Sequence, residues 1–482
     1  MIAFLLYNQA MQLTKSDFLL YLEAPMHLWA KAHGKLETKN LSIYDQLTIK
    51  QGYEVENLAQ EYLKQRLLFS YSAGSTVNFQ KTISDGRYEV RLDGLVYDAE
   101  EKVYDLYEIK SSTKIEKDHK YDVTFQYLVA KASLPIRKVY LLHINPEFVK
   151  DGEVNLQEFF VTEEVNEIVG KLEDKVFELR SEALHTLDLT EAPVDEHCYK
   201  IKTCPCLQLC HPDLPAHPIY DLSWWKAGQY EKLLEKGYRE LGEIKESEEI
   251  NPKQILQLRS YKEQRAIIDE AGVMNRLAEL VFPLYFLDYE TFNPAVPIHD
   301  SYKAYQHITF QFSLHVLEKP EDRELKHYEF IATDQSEPSR QLTEALLGVI
   351  GDEGSVLVWN KQFECGRNEE LARLQPWAAK RLLAINERVF DLMEIFSQGL
   401  FVDYRFRGSA SIKKVLPVLC PELSYAGLAI AEGATAMSKW WEMVNGQLSD
   451  AERAETRENL LRYCELDTKA MVEIWRKLKS IL

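Results

Sequence analysis

Asp288 and Glu290 stand two residues apart in "LYFLDYETF" (284–292), an apolar and aromatic run that predicts a strand. Residues two apart on a strand share a face, so both carboxylates project to the same side. Near the C-terminus, "NLLRYCELDTKAMVEIW" (459–475) predicts an amphipathic helix with Tyr463 and Asp467 four residues apart, hence on one helical face. Early in the chain, "RYEVRLDGLVYD" (87–98) and "KVYDLYEIKSST" (102–113) predict two strands, the first carrying Asp93 and the second Glu108 and Lys110 on one face. Two carboxylates can share a divalent cation, and a nearby ammonium can stabilise charge developing on a phosphate or orient a water. These are the minimal groups for metal-dependent phosphodiester hydrolysis.

Two further clusters carry chemistry. "CYKIKTCPCLQLC" (198–210) holds Cys198, Cys204, Cys206 and Cys210, four of the seven cysteines. Read as a cytoplasmic chain, it uses them more plausibly for a metal than for disulfides. Cys365, Cys420 and Cys464 are scattered and are expected to be ordinary core or surface thiols. "DYRFRGSASIKKVLP" (403–417) puts Arg405, Arg407, Lys413 and Lys414 within ten residues, with Gly408 and two serines permitting close backbone approach. Such a segment could track a phosphate backbone.

The elements that must hold these groups follow from patterning. Helix 43–67 precedes the strands at 87–98 and 102–113, helix 121–133 follows them, and "IRKVYLLHIN" (136–145) predicts a buried strand: a compact α/β unit. Residues 216–280 are largely helical in pattern, with a fresh helix start at Asn251-Pro252. From 284 three strands come in succession, then a helix, then strand "SVLVWN" (355–360), which predicts a mixed sheet flanked by helices. The expected division is an α/β unit with the cysteines at 1–215, a helical connector at 216–275 and a second α/β unit at 276–482.

With 482 residues, 46% hydrophobic and 28% charged, the composition is that of a globular protein. A net charge of -19 argues against indiscriminate coating of nucleic acid, though not against a locally basic channel. The longest apolar runs, such as "VFPLYFL" (281–287), are too short to span a bilayer. The opening "MIAFLLYNQAMQL" lacks the features of a signal peptide or anchor, so no membrane and a cytoplasmic location are expected.

The order Glu56 on a helix, Asp93, Glu108-x-Lys110, then Gln126 on the next helix resembles the PD-(D/E)XK nucleases of the RecB-like branch. The resemblance implies a restriction-endonuclease-like fold with Glu56, Asp93, Glu108, Lys110 and Gln126 in the active site; Glu54 competes with Glu56 for the helix position. Relatives of that branch often hold a 4Fe-4S cluster with one cysteine before the nuclease core and three after it. Cys198, Cys204 and Cys210 resemble the downstream trio, while "FLLYLEAPMHLW" (18–29) has Ala24-Pro25 where a Cys-Pro pair is expected. Cys206 could supply the missing thiolate, and four thiolates suit Zn²⁺ as well as iron–sulfur.

D-x-E at 288–290, "NKQFE" (360–364) and Y-x-x-x-D at 463–467 resemble the three motifs of DEDDy exonucleases, which have the ribonuclease H-like fold and work in the 3′ to 5′ direction. There Asp288, Glu290, Glu364 and Asp467 would hold two divalent cations, Mg²⁺ or Mn²⁺, about 3.5–4 Å apart, and the Tyr463 hydroxyl would position the attacking water. Glu364 stands where Asp is commoner. Asp391 in "VFDLMEIF" could be a further carboxylate at that centre or a helix N-terminal acid.

"TKSDFLLYLEAPMHLW", "YEIKSST", "DVTFQY", "FLDYETFNPAVP", "NKQFE", "GSASIKKVLPVLCPELSYAGL" and "YCELDT" together resemble the bacterial domain-of-unknown-function family 2779, most strongly over 281–475. Family members commonly begin near "LTKSD", which makes Met11 a candidate start. The resemblance implies a RecB-like nuclease domain fused to an exonuclease-like domain. It would act on DNA that is single-stranded or has free ends, in repair or in defence against mobile DNA. Two-metal chemistry does not itself distinguish DNA from RNA. The alternative expectation is a catalytically quiet nucleic-acid-binding scaffold with protein partners in a larger complex.

Overall fold

The computed structural model describes residues 11–36, 41–193, 204–226, 228–246, 248–322, 324–446 and 448–481. It is a mixed α/β structure with several sheets, in two compact units. No helix among the described residues is long and apolar enough to cross a membrane.

The first unit comprises Met1–Leu41, Asp45–Pro212 and Pro294–Gln306. Its elements are β1 (Leu13–Thr14), α1 (Lys15–Glu23), α2 (Pro25–Ala32), α3 (Ile43–Ser70), β2 (Thr76–Asp85), β3 (Tyr88–Asp98), β4 (Val103–Lys110), α4 (Lys117–Ala130), β5 (Ile136–Ile144), α5 (Leu156–Phe159), β6 (Phe160–Glu164), α6 (Asn166–Asp188) and α7 (Leu207–Cys210). The sheet runs β1-β3-β4-β5-β6, with β2 on β3; β4 and β5 are parallel, and β3–β4 and β5–β6 antiparallel. β2 was not read from the sequence although Val77, Phe79 and Ile83 stand at alternate positions; Lys81 interrupts the run, and only Ile83 of the ten residues is buried.

Side-chain alternation along β4 separates two cores. Leu106 packs with Phe18, Phe125 and Val176 on one face, and Tyr107 and Ile109 pack with Val55, Ala59 and Leu63 of α3 on the other. Glu108 inherits the face of Leu106 and so points toward α4. Gly94 is required where β3 passes α3, since a Cβ there would lie 3.0 Å from Leu63 Cδ1 and 3.2 Å from Tyr107 Cβ. Residues 294–306 complete this unit: Ala295 and Val296 are buried in the α3 core, and Val149 bridges Lys303.

The second unit comprises Ser42–Tyr44, Asp213–Asn293 and His307–Leu482. In chain order it contains α8 (Gln229–Glu235), α9 (Pro252–Glu263), β7 (Ile267–Ile268), α10 (Glu270–Ala278), β8 (Leu284–Phe292), β9 (Ile308–Leu317), β10 (Lys326–Ile331), α11 (Ser339–Val349), β11 (Ser355–Val358), α12 (Lys361–Leu374), α13 (Ala379–Glu387), β12 (Val389–Asp391), α14 (Glu394–Ser397), β13 (Phe401–Val402), α15 (Ile412–Leu419), α16 (Gly433–Val444) and α17 (Asp450–Ile481). The main sheet has the order β10-β9-β8-β11-β12, with antiparallel pairing through β10, β9 and β8 and parallel pairing from β8 to β12.

The stretch 216–275, expected to stand apart as a connector, clusters with this unit, and its β7 pairs with β13. Its low apolar periodicity hides a buried polar scaffold: Gln254 and Gln257 are buried and bind the backbone at Ser223 and Asp221. Along β8, Tyr285, Leu287 and Tyr289 pack toward α11 and α12, while Leu284 and Phe286 pack toward α15 and α17. Asp288 and Glu290 continue the second set. On α17, Met471, Ile474 and Trp475 bind that core one and two turns beyond Asp467. The apolar stripes of β8 and α17 therefore bring the carboxylates of β8 and the middle of α17 together.

Candidate active sites

In the first unit Lys110 Nζ donates to Glu108 Oε1 at 2.8 Å and to Asp122. Lys15, the first residue of α1, donates to the same Glu108 oxygen at 2.7 Å. Gln126 Nε2 donates to Glu108 Oε2 at 2.7 Å and to Asp122 Oδ1 at 2.8 Å. Asp93 accepts from the Ile109 amide at 3.1 Å, and Gln80, held at φ 52° opposite it, donates to Asp93 at 3.4 Å and to Glu56 at 2.5 Å. The structure thus links Glu56, Asp93, Glu108, Lys110 and Gln126, while Glu54 is exposed.

Burial opposes ionisation of Glu108, but Lys110 and Lys15 outweigh it and hold its carboxyl well below the usual carboxylate range. Burial, then the Glu108 charge, pushes Asp93 up to about 8. Asp122 is raised by the same two causes. Both lysines stay cationic because the facing carboxylates overcome the cost of burial. The Gln126 amide spends its nitrogen on two carboxylates and leaves its buried Oε1 without a hydrogen-bond partner, an acceptor facing a set of hard oxygen donors. That donor set fits a divalent cation.

Lys15 and Asp122 were not singled out from sequence. Asp122 could have been: it lies one helical turn before Gln126 in "DVTFQY". Because Glu108 is fully buried between two ammoniums, Glu108→Gln leaves Lys15 and Lys110 to share the single buried carboxylate of Asp122. We expect a loss of about 3–5 kcal/mol in stability, read as a fall in the urea midpoint of the first unit's transition.

Of the cysteines, Cys198 lies outside the described residues. Cys206 is buried beside Met26, Trp29 and Ala30 of α2, with Cys204 and Cys210 packed against the same cluster. His27 brings a ring nitrogen to 3.4 Å from Cys204 Sγ. The imidazole therefore arrives three residues after Ala24, where a cysteine was expected, but the donor atoms of His27, Cys204, Cys206 and Cys210 do not converge as one metal-binding set among the described residues. His27 was missed because a histidine in "APMHLW" has no spacing partner in sequence.

In the second unit, donor oxygens of Asp288, Glu290 and Asp467 lie within 4.8 Å of one another. Burial first, then Asp467, raises Asp288 far above the usual carboxylate range, and burial with Asp288 does the same to Glu290. Asp467 is pushed up to about 6, chiefly by burial. Glu364, near the start of α12, stands outside this trio; burial and the Asp288 charge raise it, and its buried Oε2 has no hydrogen-bond partner. Crowded, desolvated carboxylates with an orphaned oxygen are the donor chemistry of hard divalent cations. Asp391 is taken up elsewhere: its oxygens accept the backbone amides of Lys361 and Met393, both at 3.0 Å. It acts as an acid at the N-termini of α12 and α14.

Burial and the charges of Asp467, Glu290 and Asp288 raise the Tyr463 pKa, so the phenol keeps its proton. Tyr425 donates to Asp467 at 2.5 Å, and Cys464 Sγ reaches Asp288 at 3.4 Å. Neither was foreseen. Tyr425 sits in a loop, where periodicity is silent, and Cys464 had been read as an ordinary thiol.

The basic segment does not act as one unit. Lys413 lies over the Tyr425 and Tyr463 rings, 5.7 and 5.5 Å from their centroids, and its charge acts on all three carboxylates. Arg405 is instead clamped on buried Asp403, Arg407 donates to the Ala216 carbonyl, and Lys414 is exposed. Gly408 serves the fold: with φ 70°, a Cβ there would sit 2.1 Å from the Asp221 carbonyl oxygen. Gly408→Ala should cost at least about 2 kcal/mol, seen as a lower denaturation midpoint with the carboxylate cluster unchanged.

The chain is 30% identical over 215 residues to "Uncharacterized protein MG366 homolog" of Mycoplasma pneumoniae, covering 41% of this chain and 32% of that one. It is 27% identical over 241 residues to "Uncharacterized protein UU173" of Ureaplasma parvum, covering 46% and 35%. The chain thus spans about a third of the length of these curated relatives. A crystal structure of SSO0001 aligns with 43% of this chain and 89% of its own, at 16% identity and a TM-score of 0.24, too low to inform the fold. Residues 285–411, from the start of the Asp288 strand to the basic loop, match the family described as "Domain of unknown function (DUF2779)", and the chain therefore contains a DUF2779 domain.

Proposed function

We propose that the protein is a metal-dependent nuclease with two centres. The second unit would trim DNA strands from the 3′ end, and the first, of PD-(D/E)XK type, would hydrolyse phosphodiesters separately. The observation that carries this reading is the convergence of Asp288, Glu290 and Asp467 within 4.8 Å beneath a neutral Tyr463. Three desolvated carboxylates with one nearby ammonium support cation binding or catalysis at this place. The 3′ to 5′ direction and the two fold names come from the motif resemblance.

Asp288, Glu290 and Asp467, with Glu364 at the margin, would hold Mg²⁺ or Mn²⁺, which supplies an activated water and neutralises charge on the leaving oxygen. Tyr463 Oη would accept or donate a hydrogen bond to the attacking water while remaining protonated. Lys413 is placed to meet a phosphate oxygen beside the carboxylates. In the first unit, Glu108 and Asp93 would hold the cation and Lys110 would stabilise the phosphate charge. Lys15 would keep Glu108 ionised.

The test uses single- and double-stranded DNA labelled at either end, with Mg²⁺ or Mn²⁺, comparing wild type with Asp467→Asn and Lys110→Ala. Progressive shortening from the 3′ end, lost in Asp467→Asn and kept in Lys110→Ala, supports the reading. Metal-independent binding with no cleavage of DNA or RNA would replace it with the scaffold reading.

A further inference from the structure

A second group of donors lies on the same unit. His315 of β9 and His327 of β10 are direct cross-strand partners, their rings stacked with centroids 4.5 Å apart. Donor atoms of His315, His327 and Glu465 of α17 lie within 4.8 Å of one another. The hydrogen bonds admit one tautomer on each ring that leaves a nitrogen lone pair free. With the Thr468 hydroxyl proton on the Glu465 carbonyl at 3.1 Å, Oγ1 accepts from His315 Nδ1–H at 2.8 Å and from the Ser313 hydroxyl at 2.8 Å. Ser313 Oγ, its proton committed, accepts from His327 Nε2–H at 2.9 Å. The lone pairs left over are on His315 Nε2 and His327 Nδ1. Burial, with the His327 and Lys469 charges, pushes His315 down to about 3, so it is neutral at any working pH.

We infer that His315 Nε2, His327 Nδ1 and a Glu465 carboxylate oxygen form a site for a borderline transition-metal ion, Zn²⁺ above all, separate from the carboxylate centre. Two imidazoles and one carboxylate prefer Zn²⁺ to Mg²⁺, and three protein ligands leave a fourth position for water. Each imidazole has its other nitrogen bonded to a hydroxyl, the outer-shell arrangement that orients a histidine ligand. The ion would tie α17 to β9 and β10 two residues from both Tyr463 and Asp467. It would fix the helix that carries half of the other centre. This inference does not depend on the nuclease reading.

The test measures Zn²⁺ bound per full-length chain, by mass spectrometry after dialysis in excess Mg²⁺, for wild type, His327→Gln and Glu465→Gln. Both substituted side chains are partly exposed, so the fold should survive, as melting in chelator would verify. Each variant should bind one equivalent less than wild type. Titration with Co²⁺ should lose a visible imidazole-type band while any thiolate charge-transfer band from the cysteines persists. Equal zinc content in wild type and both variants overturns the site.

Discussion

Asp467→Asn should lower the single-turnover rate of 3′-end shortening by more than about 100-fold, because replacing even a residue that only supports a ligand typically costs 10–100-fold. The substitution keeps the shape of the side chain, and its Oδ1 can still accept from Tyr425. What it removes is a negative charge buried beside Asp288 and Glu290. The affinity for Mn²⁺, read by titration, should fall in parallel with the rate. DNA binding by Lys413 and the rest of the surface should change little. Tyr463→Phe separates the roles: with the ligands intact, it should preserve Mn²⁺ affinity and reduce the rate alone. Equal rates for wild type and Asp467→Asn would remove this centre from catalysis.

The same residues show how much could be read beforehand. Asp288, Glu290, Tyr463 and Asp467 were legible because each pair lies within one period of one element, and the flanking apolar stripes force that face inward. Expected strand 284–292 and observed β8 coincide. Glu108 and Lys110 were legible for the same reason, whereas Gln126 on α4 came only from the order that resembles RecB-like nucleases. Lys15, Tyr425 and His27 were not, since each reaches its partner across tens of residues or more through tertiary packing alone, and Gln80 meets Asp93 only through the unforeseen pairing of β2 with β3. The basic run at 405–414 showed charge density but not pairing, because local density of charge says nothing about partners. Arg405 meets Asp403, two residues away, and only Lys413 turns to the carboxylates. Gly408, read as making room for a phosphate, instead makes room for the backbone at Asp221.

Stability should report the carboxylate centre independently of any substrate. In the metal-free fold Asp467 rises from its ordinary 3.8 to about 6, so the folded state holds its proton more tightly than the unfolded chain. A group raised in this way contributes fully below pH 3.8 and loses that contribution as pH climbs through about 6. The difference amounts to about 3 kcal/mol. Other carboxylates, Glu108 among them, shift the opposite way, so the measurement is a difference between two proteins. Relative to wild type, metal-free Asp467→Asn should gain about 2 kcal/mol as the buffer moves from pH 4 to pH 7, followed by urea denaturation. Mn²⁺ should offset that gain at neutral pH, because it binds the folded wild type and neutralises the repulsion. At a free concentration 100-fold above its Kd it adds about 2.7 kcal/mol, equivalent to about 5–10 °C in Tm for a unit of this size, whereas the variant should gain little. If wild type and variant keep the same stability difference at both pH values, and Mn²⁺ moves neither, the three carboxylates are not a strained cation site and their burial needs another cause.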